Sequence, residues 1–290
     1  MVAQMRCLTA TTVLALILLQ GASGATQRHE SDVDAHARIA YSCNGGICVI
    51  YPDGSRRRQL TRDLFIDSYP SWSPDGSSIA FTGNLGRTVI DVINADGSAR
   101  RRLTPRSGDD ALAAWSPDGR TIAFDNNTTR HIDLMNIDGS RRRLTHRPSS
   151  LPTWSPDGKR IAFVSGDGRR LALTSGDIYV INVDGSGERR LAQNGAFPAW
   201  SPDGTQIAFI RNGAHWSRDA AIWIMSADGS HERRLWSHSA EGGALSWSPS
   251  GKTLAFTYDS EIYTIQADGQ RLRRVTLAGD NLDPAWQPPS

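Results

Sequence analysis

One twelve-residue pattern recurs so regularly along this 290-residue chain that it restricts the fold almost by itself. It reads PSWSPDGSSIAF at Pro70–Phe81, AAWSPDGRTIAF at Ala113–Phe124, PTWSPDGKRIAF at Pro152–Phe163 and PAWSPDGTQIAF at Pro198–Phe209. A looser copy, LSWSPSGKTLAF, occupies Leu245–Phe256. The tryptophans fall at Trp72, Trp115, Trp154, Trp200, Trp247 and Trp286, at intervals of 43, 39, 46, 47 and 39 residues. Between them Asp-Gly recurs at Asp53, Asp96, Asp138, Asp184, Asp228 and Asp268, followed by an arginine-rich stretch that ends in Leu-Thr or a close variant. A period of 40 to 50 residues signals a solenoid or a radial array.

Each repeat reads as four short strands. The first carries the Trp, and Pro-Asp-Gly turns the chain into Ile-Ala-Phe, where Ile and Phe share one face of a strand and Ala takes the other. A variable loop leads to a third strand such as Ile178–Asn182, and Asp-Gly, a strong hairpin signal, turns it into the fourth. Four antiparallel strands at this period make a propeller blade. The chain ends separate a closed ring from an open solenoid. The last Trp strand, Pro284–Trp286, has no strands after it, and Ile39–Thr61 supplies three strands with no Trp strand before them. The expected fold is therefore all-β: a six-bladed β-propeller over residues 38–290, its ring closed by the C-terminal Trp strand pairing with the N-terminal strands.

Residues 1–25 have the order of a secretory signal peptide, with Arg6, an uncharged apolar run from Leu8 to Leu19, and small residues at Ala22–Ala25. Twelve residues of helix span only ~18 Å, short of a ~30 Å hydrocarbon core, so cleavage rather than anchoring is expected. No transmembrane segment would then remain. Residues 26–37 carry mixed charge and few large apolar side chains and read as a flexible linker. The formal charge of +2 becomes +1 without Arg6, and acids nearly balance the 30 arginines and two lysines. About half the arginines follow the Asp-Gly turns on the outer strands, where charge discourages edge-to-edge pairing, so nucleic acid is not an expected partner.

The repeated residues W-S-P-D-G-x-x-I-A-F, the later I-Y and D-G, and R-x-L-T resemble the TolB-type (WD40-like) β-propeller repeat from Arg38 to Trp286. That resemblance implies a periplasmic or secreted protein and a scaffold that binds a protein partner in the cell envelope. Related blades also occur in some sugar lyases, so a carbohydrate-binding or sugar-cleaving propeller is the alternative. No G-x-S-x-G nucleophile elbow is present, and no catalytic residue or cofactor is expected.

The four intact Ser-Pro-Asp-Gly boxes place Ser and Asp at fixed spacing, and the fifth carries Ser250 in place of the carboxylate. A turn needed in every blade explains them better than chemistry does, since Ser and Asp bond nearby backbone and Gly takes the positive-φ corner. His131, His146, His215 and His238 lack metal-binding spacing, so no metal is expected. Cys43 and Cys48 flank Asn44-Gly45-Gly46-Ile47. A Gly45-Gly46 turn would set Cys43 directly opposite Cys48 within disulfide reach.

Site expectations fall on the loops that vary between repeats. The segment His215-Trp216-Ser217-Arg218-Asp219 sets an exposed aromatic beside charge, as interface anchors do. Asp67 and Asp110 each precede a Trp by five residues and are expected near the central channel, binding a partner's cation or adjacent backbone. The candidate partner-binding residues are thus His215, Trp216, Arg218, Asp219, Asp67 and Asp110, on a protein expected to be a monomer.

Overall fold

The computed structural model describes residues 33–62, 66–84, 86–166, 176–211, 220–237 and 243–289. After a helical turn at residues 33–36 the described chain is all-β. Strands β1 (Ile39–Cys43), β2 (Gly46–Ile50) and β3 (Arg58–Gln59) open it. A first complete sheet follows as β4 (Ile66–Trp72), β5 (Ser78–Asn84), β6 (Thr88–Asn94) and β7 (Arg101–Arg102). The next is β8 (Asp110–Trp115), β9 (Thr121–Asn126), β10 (His131–Asn136) and β11 (Arg141–Arg143).

Then come β12 (Ser149–Trp154), β13 (Arg160–Ser165), β14 (Gly176–Asn182), β15 (Arg189–Trp200), β16 (Gln206–Arg211), β17 (Ala221–Ser226) and β18 (Arg233–Trp236). The chain ends with β19 (Ser246–Trp247), β20 (Thr253–Tyr258), β21 (Glu261–Gln266), β22 (Arg273–Arg274) and β23 (Asn281–Trp286). These form four sheets of four strands and one of seven. The seven-stranded sheet divides at β15, whose Arg189–Ala192 half pairs with β14 and whose Gly195–Trp200 half pairs with β16. The sheet at the chain ends has the order β23-β1-β2-β3, with Ile39 opposite Trp286.

The repeat positions do the packing work expected of them. Tyr41, Phe81, Phe124, Phe163, Phe209 and Phe256, the third residue of each Ile-Ala-Phe, are fully buried between sheets. Burying one such ring is worth roughly 1.5–3 kcal/mol. The Leu-Thr ending also has a cause. Thr61, Thr104, Thr145 and Thr276 each accept a hydrogen bond at Oγ1 from a third-strand N–H (Ile47, Ile90, Ile132 and Ile262). That pins the short outer strand.

In the turn boxes the Ser hydroxyl donates to the Asp two residues on, at 2.6 Å for Ser73–Asp75 and Ser116–Asp118 and 2.5 Å for Ser155–Asp157 and Ser201–Asp203. That bond, with a backbone N–H added, holds each of these carboxyls below the ordinary range. The fifth box lacks its own Asp, and Asp34 reaches across to fill the place. Its carboxylate accepts from Ser250 N (3.0 Å) and Ser250 Oγ (2.6 Å). Ala37 is buried beside Ile39 and Trp286. Residues 33–37 of the expected flexible linker are therefore packed against the sheets.

The arginines do more than decorate an edge. Arg58, Arg142, Arg233 and Arg273 each donate from an outer strand to a backbone carbonyl in an Asp-Gly turn region of a neighbouring sheet (Asp96, Val183, Ala267 and Asp53), and Arg189 does the same to Asp228 across the two halves of the seven-stranded sheet. The Arg273 bond runs from β22 back to the turn between β2 and β3. A second set points inward, described with the site below.

Cys43 and Cys48 form a disulfide, with Cα atoms 5.9 Å apart, but the register differs from expectation. Cys43 pairs with Gly46 and Tyr41 with Cys48. The two-residue turn is Asn44-Gly45, both at positive φ (46° and 80°), as a type I′ hairpin turn requires. The bridge joins diagonal rather than directly opposite positions. A Cβ on Gly46 would lie 2.4 Å from Thr61 O, which reserves that site for glycine. Mass spectrometry of the unreduced protein should show two hydrogens fewer than the reduced form. Alkylation of both thiols without reductant would rule the bridge out.

Candidate functional site

The six Trp strands β4, β8, β12, β15, β19 and β23 line one cavity of about 370 Å³. Five of them carry a left-handed residue three positions before the Trp: Tyr69 (φ 52°), Leu112 (55°), Leu151 (60°), Phe197 (51°) and Asp283 (54°). Left-handed backbone is rare for residues with a Cβ, and here each case coincides with a break in strand register, a β-bulge. At Tyr69, Leu112, Leu151 and Phe197 the bulged residue reaches the cavity wall. It also leaves an N–H without a ladder partner.

That N–H is taken up by the neighbouring sheet. The residue after Ile-Ala-Phe accepts it: Ser42 Oγ from Tyr69 (3.2 Å), Thr82 Oγ1 from Leu112 (3.0 Å), Asp125 Oδ1 from Leu151 (3.1 Å) and Thr257 Oγ1 from Asp283 (3.2 Å). At the other two equivalent positions stand Val164 and Ile210, which have no acceptor. Two buried acids result. Asp125 accepts from Ser150 Oγ as well as Leu151 N, and burial raises its carboxyl to about 8. Asp283 accepts from Ser42 Oγ at 3.1 Å, and burial raises it to about 6. Burial also pushes the Tyr69 phenol up, with the nearby Asp283 and Asp125 charges adding to the rise.

A second cavity, of about 420 Å³, meets the first at Tyr69 and Leu112. Both chambers carry polar groups set in a largely apolar lining. The first is walled by prolines, Leu151, Phe197, Leu245 and the tryptophans. The second is walled by Ser68, Asn84, Asn126, Asn127, Arg130, Ser149 and Ser150, with Asp125 at its wall. It opens among the loops that vary between repeats.

Asp67 and Asp110 line neither cavity. Both are buried and paired across their own sheets. Arg100 bonds Asp67 through two nitrogens, each at 3.1 Å, and also Asp91 (2.6 Å), while Arg141 bonds Asp110 at 3.1 Å. The guanidinium groups lie over Phe81 and Phe124. These carboxylates are spent on the arginines that follow the Asp-Gly turns, a pairing that sequence distance hid. His215, Trp216, Arg218 and Asp219 lie outside the described residues. Among the described residues no group of three or more His, Cys, Asp or Glu is close enough to hold a metal.

Sequence reasoning missed Tyr69, Asp125 and Asp283. The signal was available: the positions three before Trp and one after Ile-Ala-Phe change in character between copies while the neighbouring Trp and Phe do not.

Comparison with known proteins adds the relationships. A search of curated proteins returns no significant match. Among solved structures the chain is similar to TolB of Acinetobacter baumannii, with TM-score 0.76 and 21% identity over 88% of this chain and 67% of that one. It is similar to a protein assigned as TolB from Agrobacterium tumefaciens, with TM-score 0.63 and 24% identity over 75% of this chain and 84% of that one. A chain from the crystal structure of a nidogen/laminin complex also resembles it, with TM-score 0.72 and 14% identity over 87% and 98% of the two chains. At these identities the likenesses speak for the fold alone. The family profile described as the TolB beta propeller domain matches residues 38–195 and 133–290, together all the strands, and the chain belongs to that family.

Proposed function

We propose that this chain is an exported, closed six-bladed propeller that acts as a protein-binding scaffold through its variable-loop face. Closure is supported by β23 pairing with β1, by the Arg273–Asp53 bond, and by Gln287 Nε2 donating to Gly76 O. One contrast carries the functional reading. Ser and Asp in the constant turn boxes bond each other and local backbone, whereas the variable face opens into a cavity of about 420 Å³ on which the Ser68, Tyr69 and Arg130 side chains have no side-chain partner among the described residues. Membership of the TolB family and the likeness to a chain in a nidogen/laminin complex agree with a role in holding proteins together.

Trp216 and Arg218 remain the proposed anchors on that face, since a Trp–Arg pair joins large apolar contact to charge-assisted bonding. The test is capture of a partner from envelope extract by the protein without residues 1–25. Trp216→Ala combined with Arg218→Ala should weaken the captured partner by more than ~2 kcal/mol, about thirty-fold, with the melting temperature unchanged. Lys159→Ala, in a constant turn, should leave binding intact. Lower stability at unchanged affinity would mean that Trp216 packs on its own blade.

A further inference from the structure

Four of the turn boxes carry their own carboxylate. In each, the Asp also accepts from the backbone N–H two residues beyond it: Ser77, Arg120, Lys159 and Thr205 donate to Asp75, Asp118, Asp157 and Asp203 at 3.0–3.1 Å. The fifth turn divides that work between two segments. Ser250 keeps the short-range part, its Oγ lying 3.3 Å from Ser248 Oγ and accepting from Lys252 N at 3.2 Å. The carboxylate comes from Asp34, 216 residues away, which accepts from Ser250 N and Ser250 Oγ. A contact fixed inside the turn in four cases is here a contact between distant parts of the chain.

The segment that carries Asp34 touches three sheets. Asp34 sits on the turn between β19 and β20. Ala37 is buried with Ile39 and Trp286, where β1 meets β23. Arg38 crosses to the sheet of β4–β7, its guanidinium 5.0 Å from the Trp72 ring and Nη1 donating to Ala95 O at 3.2 Å. Arg38 and Gln287 lock each other, with Arg38 Nε donating to Gln287 Oε1 (3.1 Å) and Gln287 N to Arg38 O (2.8 Å). The two ends of this strap are held unequally. Its Arg38 end is tied several times over. Among the described residues, Asp34 is the only side chain of residues 33–37 with a polar tie to the sheets, and Ala35 and His36 are exposed.

We infer that the fifth turn is an exchangeable carboxylate seat, and that residues 33–37 form a catch which Asp34 fastens there and which a competing carboxylate releases. The in-turn carboxylates of the other boxes leave their serines only if the turn itself unfolds. Asp34 leaves by a swing of residues 33–37 about Arg38, with every strand still paired. Ordering those five residues carries a conformational-entropy cost that a carboxylate already inside its turn does not. Two charge-assisted hydrogen bonds offset that cost, so the catch is held by one side chain. Seated, it ties the sheet of β19–β22 to the sheet that joins β23 to β1, in addition to the strand ladder. The catch lies among the constant turns, and the inference does not rest on the protein-binding reading.

The test gives the fifth turn a carboxylate of its own. Ser250→Asp restores the residue that the other four boxes carry, and its carboxylate competes with Asp34 for the same donors. Hydrogen exchange of the protein without residues 1–25, read by mass spectrometry on the peptide covering residues 33–37, reports the catch, since Ala37 N donates to Val33 O (3.2 Å) when it is seated. Ser250→Asp should speed that exchange at least ten-fold while the melting temperature holds or rises. Asp34→Ala should free the catch equally and lower the melting temperature by about 2–4 °C, because the fifth turn then has no carboxylate. In the double variant the melting temperature should return to that of Ser250→Asp alone. Unchanged exchange in Ser250→Asp overturns the inference, as does a Ser250→Asp protein that melts below wild type. An equal loss from Asp34→Ala in both backgrounds would also overturn it, because Asp34 would then stabilise the fold through something other than the fifth turn.

Discussion

Ending the chain after Asp280 is expected to unfold the whole structure rather than trim one end of it. The cut removes β23, which supplies the partner of β1, and strips Trp286 from a cluster with Ile39, Tyr41, Ile50, Ala255, Ile262 and Val275. It also removes Ala285 O, the acceptor of Trp72 Nε1 (3.1 Å), and Trp286 N, which donates to Ser246 Oγ (2.9 Å). Losing a buried Trp alone costs about 3–5 kcal/mol, and native stability is only about 5–15 kcal/mol. Deleting the strand adds a bare edge on β1, which invites pairing with other chains. The truncated protein should show no cooperative melt, and a synthetic 281–290 peptide added in excess should restore part of it. Wild-type thermal stability after truncation would dispose of the closed ring.

What could be read from the sequence was whatever the repeat forces to be constant. The Trp strand, the Ser-Pro-Asp-Gly turn, Ile-Ala-Phe and the outer arginine strand were legible because each solves a local problem the same way in every copy. The pairing of β23 with β1 was legible too, since an incomplete set of strands at each chain end leaves few alternatives. Three features were not. The Cys43 hairpin register was ambiguous because Asn44-Gly45 and Gly45-Gly46 both make two-residue turns. The protein takes the first, setting Gly46 opposite Cys43 and close against Thr61 O. Asp67 and Asp110 find their arginines 33 and 31 residues away, across a whole sheet. The bulges at Tyr69 and Asp283 depend on acceptors from the adjacent sheet, a relation between copies that no single repeat displays.

Raising the pH from 5 to 8.5 is expected to destabilise the protein, and Asp125→Asn should abolish much of that loss. Asp125 has an ordinary carboxyl pKa near 3.9 in the unfolded chain and about 8 in the fold. Between those values the folded state holds a proton that the unfolded state has released, so stability falls as pH rises through the window and levels off above it. Asp283, raised to about 6, adds a smaller loss of the same sign between pH 4 and 6. The turn carboxyls Asp75, Asp118, Asp157 and Asp203 work oppositely. Their lowered pKa values favour the fold above pH 4, and that advantage fades as pH drops further. Maximum stability should therefore lie at about pH 4, where the two windows meet.

Asparagine mimics the neutral acid well. Its carbonyl can accept from Ser150 Oγ and Leu151 N, the two donors that Asp125 now serves, without carrying a buried charge. The variant should match wild type at pH 5 and exceed it at pH 8.5 by roughly 2–5 kcal/mol, the span of a shift of several units discounted for relaxation of the buried site. For a chain of this size that is a melting-temperature gain of roughly 5–15 °C, read directly by calorimetry at the two pH values. A wild-type melting temperature that is flat from pH 5 to 8.5 would show that Asp125 ionises freely in the fold. An equal fall in Asp125→Asn would place the titrating group elsewhere.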